Sequence, residues 1–389
     1  MRSAPRDRAP ARRRKRWRGI LPARRWSGSL AAVAVATLAL AGPAAARHHH
    51  ASSHHGLGSY AQRNLVSDQA GVAQLQDRSL VNAWGLTFGP TTPAWVADNG
   101  TDVSTLYSGG VNGSQATKVP LTVSIPNGAP TGAVFNDNPT AFVVRSGASS
   151  GSATFLFASE AGTISGWNPA VPPPAPSTQA QVAAQVPGAV FKGLAIANTA
   201  TGKRLYAADF HHGNVMVWDA NFQPVNTAGA FRDAKLPKGF APFGIQAVNG
   251  DIVVTYAKQD AKAEDDVAGR GNGFVDVYST DGKLLRRFAS RGPLNSPWGI
   301  ALAPQGFGAA SGALLVGNFG DGRINAYDPV SGRFLGSLRG TKRRTLVIDG
   351  LWALQFGNGV IGTPQTLLFT AGPGREAHGL FGELTSTGH

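Results

Sequence analysis

Short apolar runs separated by glycine-containing turns make up most of the chain after about residue 60. No segment there has the long apolar period of 3.6 residues that an amphipathic helix requires. Short apolar runs bounded by Gly, Asn and Asp are typical of β-strands joined by tight turns. The pattern therefore predicts an all-β protein.

The predicted strands recur as one repeated unit. Each unit has an apolar strand near a Trp-Gly or Phe-Gly pair, a second strand that ends in a small or acidic residue, a glycine-containing turn and a third strand. The third unit is the clearest, with strands at Gly193–Ala197, Arg204–Asp209 and Asn214–Asp219. Six units begin about 50–60 residues apart, at Trp84, Gly132, Gly193, Phe243, Trp298 and Trp352.

This repeat predicts a six-bladed β-propeller, because units of this length with three or four strands are typical of propeller blades. Most units are followed by an outer fourth strand, such as Leu284–Phe288. The sixth unit ends with the strand Leu380–Leu384 and has no fourth strand, whereas Tyr60–Asp68 precedes the first unit without a partner. We therefore predict that this N-terminal strand completes the last blade, closes the ring and removes an exposed sheet edge.

Several short motifs lie near the starts and turns of the predicted units. They resemble those of NHL-repeat and related six-bladed propellers, and the chain looks most like an uncharacterised family of secreted bacterial β-propeller proteins. The resemblance implies the propeller fold, and it implies no catalytic residues because no mechanism is assigned to that family. The motifs are LVSDQAG (Leu65–Gly71), NAWGL (Asn82–Leu86), DNGT (Asp98–Thr101), GTISGWNP (Gly162–Pro169), SPWGIA (Ser296–Ala301) and DGLWAL (Asp349–Leu354).

The N-terminal segment 1–46 is expected to be a cleaved export signal. A basic region ends at Arg24-Arg25, an apolar run follows at Leu30–Ala41, and Ala44–Ala46 form a small-residue cleavage site. The apolar run is shorter than the about 20 residues of a transmembrane helix, so no transmembrane segment is expected after cleavage. An uncleaved anchor is the alternative, and the general secretory and twin-arginine routes both stay open.

The remaining chain is expected to contain a disordered His-rich tail at 47–59 and a single propeller domain at 60–389. The formal net charge of +14 lies mostly in the export signal, because residues 47–389 hold 25 basic and 21 acidic residues. A mildly basic mature protein does not indicate nucleic acid as a partner. The absence of cysteine suits an exported protein, which meets oxidising conditions.

Polar residues at equivalent positions of the units indicate a candidate ligand site. In a propeller, the loops entering the inner strands and the turns between the second and third strands share one face, around the mouth of the central channel. Asp and Asn also cap turns for backbone reasons, so turn capping is the alternative for each residue. The candidate ligand-binding residues are Asn82, Asp98, Glu160, Asp209, His211, Asn318, Asp349 and His378.

Oxygen ligands from several blades could hold one calcium ion at this mouth. Ca²⁺ takes six to eight oxygen ligands, and Glu160, Asp209 and Asn318 are the predicted metal ligands, with Asn82 beside them. The arrangement is similar to that of calcium-dependent lactonase propellers. Asp209 and Asn318 occupy equivalent turns, and their side chains are expected to converge at the mouth.

A histidine beside a carboxylate offers a second kind of chemistry. His211 and His212 follow Asp209 closely and could act with it, and with His378, as a general base or a transition-metal site. A solvated turn tip is the alternative. The long loop at 258–273 is expected to be either a lid over the mouth or a solvated excursion, because long loops inside compact repeats have one of these roles.

Two functions stay open from these residues. The first is an exported, monomeric binding or scaffold module at the cell surface or outside the cell, which binds an extracellular ligand or protein at the channel mouth. The alternative is a calcium-dependent hydrolase or lactonase-like enzyme that uses the same site. A fold alone does not decide between them, whereas convergence of the candidate side chains in space would.

Overall fold

The computed structural model describes residues 56–388. The predicted export signal and most of the predicted His-rich tail lie outside these residues. The described part is all-β, with two short 3-10 turns at Val111–Gly113 and Gly308–Ala310. Between residues 56 and 388, no helix has the length and apolarity needed to cross a membrane.

The strands are short, and most follow one another through tight turns. In chain order they are β1 (Leu57–Ser67), β2 (Leu75–Gln76), β3 (Ala83–Thr87), β4 (Ala94–Asp98), β5 (Val103–Gly109), β6 (Ala116–Ser124), β7 (Pro130–Phe135), β8 (Val143–Ser146), β9 (Ser149–Ser152), β10 (Phe155–Ser159), β11 (Thr163–Trp167), β12 (Gln181–Gln185), β13 (Phe191–Thr199), β14 (Gly202–Asp209), β15 (Asn214–Asp219), β16 (Phe240–Val248), β17 (Asp251–Lys258), β18 (Gly273–Tyr278), β19 (Leu284–Ser290), β20 (Pro297–Leu302), β21 (Leu314–Asn318), β22 (Ile324–Tyr327), β23 (Phe334–Gly340), β24 (Leu351–Phe356), β25 (Leu367–Ala371) and β26 (Leu380–Ser386).

Most strands form antiparallel meanders, which makes the architecture propeller-like. Three sheets have the orders β3-β4-β5-β6, β7-β10-β11-β12 and β16-β17-β18-β19, and β13-β14-β15 form a three-stranded sheet. A larger sheet joins β20-β21-β22-β23 to β26-β25-β24 through β1. Strands β8 and β9 form a separate hairpin. The apolar pattern does not predict this hairpin, because the residues of its strands are mostly polar.

Strand β1 joins two meanders. It pairs antiparallel with β26, from Tyr60 opposite Ser386 to Ser67 opposite Leu380. It also pairs parallel with β23, where Leu57 lies opposite Leu338. The strand therefore begins inside the segment predicted as a disordered tail, because Leu57 has an apolar core to pack against.

The inner strands β3, β7, β13, β16, β20 and β24 contact one another in a cycle, each touching the next and β24 touching β3. Glycines allow this close approach, since a Cβ atom on Gly244 would overlap the carbonyl oxygen of Trp298, and one on Gly85 that of Thr131. Residues from all six strands line one cavity of about 30 Å³, which has room for about two water molecules. The inner strands therefore surround a narrow central channel.

The hydrophobic core lies between neighbouring meanders. Tyr206 and Val217 of β14 and β15 pack with Ile252 and Val254 of β17, and all four side chains are buried. Similar apolar clusters fill the other junctions between sheets. Each meander therefore buries both faces against its neighbours, which explains why its central strands are almost wholly apolar.

Asp276 on β18 is a fully buried carboxylate with a crowded environment. It lies 3.5 Å from Nε of Arg287, and its Oδ2 accepts a hydrogen bond of 3.2 Å from the Tyr278 hydroxyl. Arg287 also pairs with Asp233, in the connection that precedes β16. Burial, together with the Asp233 charge, raises the pKa of Asp276 to about 7.

We expect Asp276 to make the free energy of unfolding fall as the pH rises from about 4 to 7. In this window the folded protein keeps a proton on Asp276 that the unfolded chain has released, so rising pH favours the unfolded chain. The contribution of this group is about 1 kcal/mol per pH unit. Asp276→Asn should remove it, and urea unfolding of both proteins across this range would measure the difference. Parallel pH profiles would contradict the expectation.

Candidate ligand site at the channel mouth

Polar side chains from several sheets gather at one end of the inner strands. They lie before β3, after β4, after β10, within β13, between β17 and β18, and between β25 and β26. An antiparallel meander places all of these positions at the same end of the sheets. We call the following residues the channel mouth: Asn82, Asn99, Glu160, Lys192, Asp265 and Glu376.

Lys192 is the only cation of the channel mouth, and its side chain is 3% exposed. Its Nζ lies 2.5 Å from Oε1 of Glu160, 3.1 Å from Oδ1 of Asp265 and 5.3 Å from the centroid of the Trp84 ring. Burial disfavours the charged form, but the Glu160 and Asp265 carboxylates outweigh it and raise the pKa of Lys192 above its ordinary value. The buried ammonium therefore stays charged at neutral pH.

Two asparagines extend this ion pair into a hydrogen-bonded chain. Asn99 donates to Oε2 of Glu160 at 3.1 Å, and Asn82 donates to Oδ1 of Asn99 at 3.1 Å and to Oε2 of Glu376 at 2.8 Å. The indole N–H of Trp352 donates to Oδ1 of Asn82 at 2.9 Å. Both oxygens of Glu160 are thus held, and the network links residues from five meanders.

The mouth has more carboxylates than ammonium groups. Partial burial raises the pKa of Glu376 above its ordinary value, and the nearby Glu160 charge adds to the effect. Because Glu376 is solvent-exposed as a residue, screening keeps that effect small. Burial also raises the pKa of Asp266, next to Asp265 in the chain. The channel mouth therefore holds the carboxylates of Glu160, Asp265 and Glu376 around one buried ammonium.

Aromatic rings close the channel beneath the mouth. The Trp84 and Trp352 rings stack with their centroids 3.6 Å apart, and Phe319 stacks on Trp352 at 3.9 Å. Trp298 packs edge-on against both tryptophans and lines the cavity behind them. The mouth is therefore shallow and is separated from the central cavity by these rings.

The loop between β17 and β18 covers Lys192. Oδ1 of Asp260 accepts backbone N–H groups from Lys262, Glu264 and Asp265, which folds the loop back on itself. The Asp265 side chain is 76% exposed, and its carboxylate reaches the buried ammonium. The loop is also anchored on either side of Asp265, because the Gln259 amide donates to the Phe210 carbonyl at 2.6 Å and the backbone N–H of Gly269 donates to Oδ1 of Asn295 at 2.6 Å.

Two of the candidate residues, Asn82 and Glu160, lie in the channel mouth. Asp209 is buried and accepts the backbone N–H groups of Val190 and His212, while Nδ1 of His212 lies 2.7 Å from its Oδ2. Asn318 is buried and donates to the carbonyl of Pro293. Both side chains therefore bond within and beside their own turns.

The other candidates also have local partners. Oδ2 of Asp98 accepts the Thr105 hydroxyl at 2.7 Å, and full burial raises the pKa of Asp98 well above its ordinary value. Oδ2 of Asp349 accepts the backbone N–H of Gly374 at 2.8 Å. His211 is exposed and its ring contacts His212. Nδ1 of His378 lies 2.9 Å from Oδ2 of Asp68.

The three predicted metal ligands each have their own hydrogen-bond partners in the structure. Glu160, Asp209 and Asn318 bond to separate partners, and Ca²⁺ needs six to eight oxygens around one point. Among residues 56–388, no group of three or more His, Asp or Glu side chains is placed to hold a metal ion. Between Glu160 and Asp265, the ammonium of Lys192 supplies the positive charge.

The sequence places Lys192 in a loop that enters an inner strand and Asp265 in the long loop at 258–273, but neither is among the candidate ligand-binding residues. A signal for Lys192 exists in the repeat, because it precedes Gly193 as Trp84 precedes Gly85 and Trp298 precedes Gly299. The second unit has Thr131 at this position, and the fourth has Phe243. A lysine that is buried at such a position must find carboxylate partners. No comparable signal marks Asp265, since its position depends on how a long loop folds.

The chain belongs to the same family as two proteins of Acanthamoeba polyphaga mimivirus. "Uncharacterized protein R648" is 34% identical over 298 residues, which cover 75% of this chain and 72% of that protein. "Uncharacterized protein L690" is 34% identical over 307 residues, which cover 75% of this chain and 77% of that protein. No family model matches the chain. These relatives are viral, so bacterial origin and export stay predictions.

Solved structures with a related architecture are distant in sequence. A candidate gluconolactonase is 14% identical with a TM-score of 0.48, over 85% of this chain and 94% of that one. A Bacteroides thetaiotaomicron protein of unknown function is 10% identical with a TM-score of 0.49, over 83% of this chain and 73% of that one. The propeller-like assignment rests on the strand pairing of this chain itself.

Proposed function

We propose that the chain is an exported, six-bladed propeller whose ring is closed by β1, and that it acts as a binding module with its ligand at the channel mouth. The cyclic contacts of the inner strands support the blade count. The pairing of β1 with β26 supports the closure. The apolar run and small-residue site in segment 1–46 support export.

The observation that carries the binding function is the buried Lys192 ammonium at the centre of the mouth. Burying a charged lysine costs stability even when it is paired. The equivalent position holds an aromatic residue in four of the other units and Thr131 in the second unit. Its partner Glu160 is held in place by a hydrogen bond from Asn99, and Asn99 accepts one from Asn82. A preorganised set of one ammonium, three carboxylates and two amides suits recognition of a small polar ligand.

The calcium-dependent hydrolase is the second candidate, and no observation of the mouth favours it. Lys192 already supplies a cation to Glu160 and Asp265. If the mouth is a metal-free binding site, calcium at roughly 1 mM, where extracellular calcium modules bind, should leave the melting temperature unchanged. A calcium-dependent rise that disappears in Glu160→Gln would instead support the metal-dependent enzyme.

The binding function is tested by a thermal-shift panel of monosaccharides, amino acids and short dicarboxylates. At least one class should raise the melting temperature of the protein, because a ligand bound only by the folded state stabilises it. The double variant Glu160→Gln, Lys192→Met removes both charges together and should weaken that ligand at least about tenfold.

Glu264→Gln is the matched control, since it changes an exposed acid of the same loop, and its binding should stay unchanged. A ligand bound equally by the double variant would place the binding site away from the mouth. No response to any class would contradict the proposed function.

A further inference from the structure

A second concave site lies beside the outer part of the fifth meander, β20–β23. Its cavity has a volume of about 350 Å³ and is lined by Gly56 before β1, the β17–β18 loop, the segment before β20, the turn before β22, strand β23 and the segment after β23. Arg270 and Arg323 both line it, together with Pro293, Ser337 and Thr345. The volume lies within the range of small-molecule sites.

The two lining arginines are exposed, and Arg323 has an acidic neighbour. Asp321 is the one carboxylate that lines this cavity within the described part of the chain. Its Oδ1 accepts the amide of Asn318 at 2.9 Å and the backbone N–H of Arg323 at 3.3 Å, and its Oδ2 lies 3.8 Å from Nε of Arg323. Asp321 is thus held in place by the turn and positions Arg323 without burying it.

A basic hairpin stands next to the cavity. The backbone N–H of Gly340 donates to the carbonyl of Arg344 at 2.8 Å, and that of Arg343 donates to the carbonyl of Gly340 at 2.8 Å. This turn exposes Lys342, Arg343 and Arg344 immediately before the lining residue Thr345. Its tip therefore presents three positive charges at the rim of the cavity.

Another exposed arginine, Arg291, directly precedes the lining residue Gly292. Arg291 lies next to the β17–β18 loop, because a Cβ atom on Gly271 would be 3.7 Å from its Cβ atom. Its guanidinium stacks over the Phe274 ring, with 5.4 Å to the centroid. We call the following residues the basic site: Arg270, Arg291, Arg323, Lys342, Arg343 and Arg344.

The basic site holds a disproportionate share of the positive charge. Residues 56–388 contain 24 basic and 21 acidic residues, a net charge of +3. The six basic residues and Asp321 together contribute +5, so the rest of these residues has a net charge of −2. The positive charges of the basic site repel one another, which costs stability. The same patch raises the local concentration of anions.

We propose that the basic site binds an oxyanion ligand, a phosphate or sulfate ester, with one anionic group between Arg270 and Arg323. Guanidinium groups suit this chemistry, because their planar N–H pairs match the oxygens of phosphate and sulfate. Lys342, Arg343 and Arg344 would hold further anionic groups of a longer ligand. The site is independent of the channel mouth and of any ligand bound there.

Titration calorimetry with tripolyphosphate and with dextran sulfate tests the proposal and separates the two sources of the anion. We expect binding of at least one probe, with an affinity that falls as salt is added. The variant Arg270→Gln, Arg323→Gln should weaken it at least about tenfold. Replacing Lys342, Arg343 and Arg344 by glutamine should weaken dextran sulfate more than tripolyphosphate, because only the longer polyanion reaches the hairpin.

Arg145→Gln is the control for net charge, since Arg145 is an exposed arginine of the β8–β9 hairpin, and it should bind like the unmodified protein. Circular dichroism of each variant checks that it is folded. Equal weakening by Arg145→Gln and by the two lining changes would overturn the site. Tighter binding of a single-stranded oligonucleotide than of both probes would assign the site to nucleic acid and would also overturn the proposal.

Discussion

Removal of strand β1 is expected to abolish the folded monomer. Tyr60, Leu65 and Val66 are fully buried, and each such side chain contributes roughly 2 kcal/mol by its burial. The Tyr60 hydroxyl also donates to the carbonyl of Phe307 at 3.0 Å. Loss of these contacts removes a large part of the about 5–15 kcal/mol that stabilises a typical domain, and it exposes the edge of β26 to other chains.

The measurement compares two purified chains, one beginning at residue 56 and the other at residue 69. The longer chain should elute as a monomer with a cooperative unfolding transition, and the shorter one should aggregate or fail to fold. A synthetic peptide of residues 57–68 should restore the monomer when it is added to the shorter chain during refolding. Equal stability of the two chains would contradict the role of β1.

The substitution Gly244→Ala is expected to destabilise the protein by about 3 kcal/mol. A Cβ atom at this position would overlap the carbonyl oxygen of Trp298 on the neighbouring inner strand and would lie 2.8 Å from Oγ1 of Thr255. The backbone of β20 cannot move away easily, because it is hydrogen-bonded to β21 and packs against β24. The clash must therefore be relieved by opening the contact between two inner strands.

Gly340→Ala is the matched control for this change. Its nearest neighbour would be Cδ2 of Leu346 at 3.4 Å, which is close to ordinary van der Waals contact. Its free energy of unfolding should change by less than about 0.5 kcal/mol. Urea unfolding of both variants measures the difference, and a similar small change in both would mean that the inner strands can separate without cost.

The packing of the inner strands also explains why the candidate ligand site is shallow. Close approach leaves a cavity of about 30 Å³ on the axis, and Trp84, Trp298 and Trp352 close it at one end. A ligand at the mouth would therefore meet the network around Lys192 and the covering loop, without entering the channel. Substitutions of these tryptophans would change the rings beneath the mouth and the hydrophobic core together.

Local sequence determined the strands and their repeated order, because each strand is marked by its own apolar run and turn residues. Predicted strands such as Arg204–Asp209 and Asn214–Asp219 coincide with β14 and β15 or lie within them. The pairing of Tyr60 and its neighbours with β26 was also predictable. The first strand has no partner in the first unit and the last unit lacks a fourth strand, so pairing the two satisfies both. Polar hairpins such as β8–β9 leave no such apolar signal.

Only the tertiary structure decided which polar residues meet. Asp209 and Asn318 follow strands at equivalent places, as the sequence indicated, but their short side chains bond to nearby turn atoms and donors. Lys192 reaches the mouth because its long side chain leaves an inner strand at the level of the aromatic rings, and Asp265 meets it because the loop folds back. Such meetings depend on three-dimensional distances between segments far apart in the chain, and no local pattern of residues records those distances.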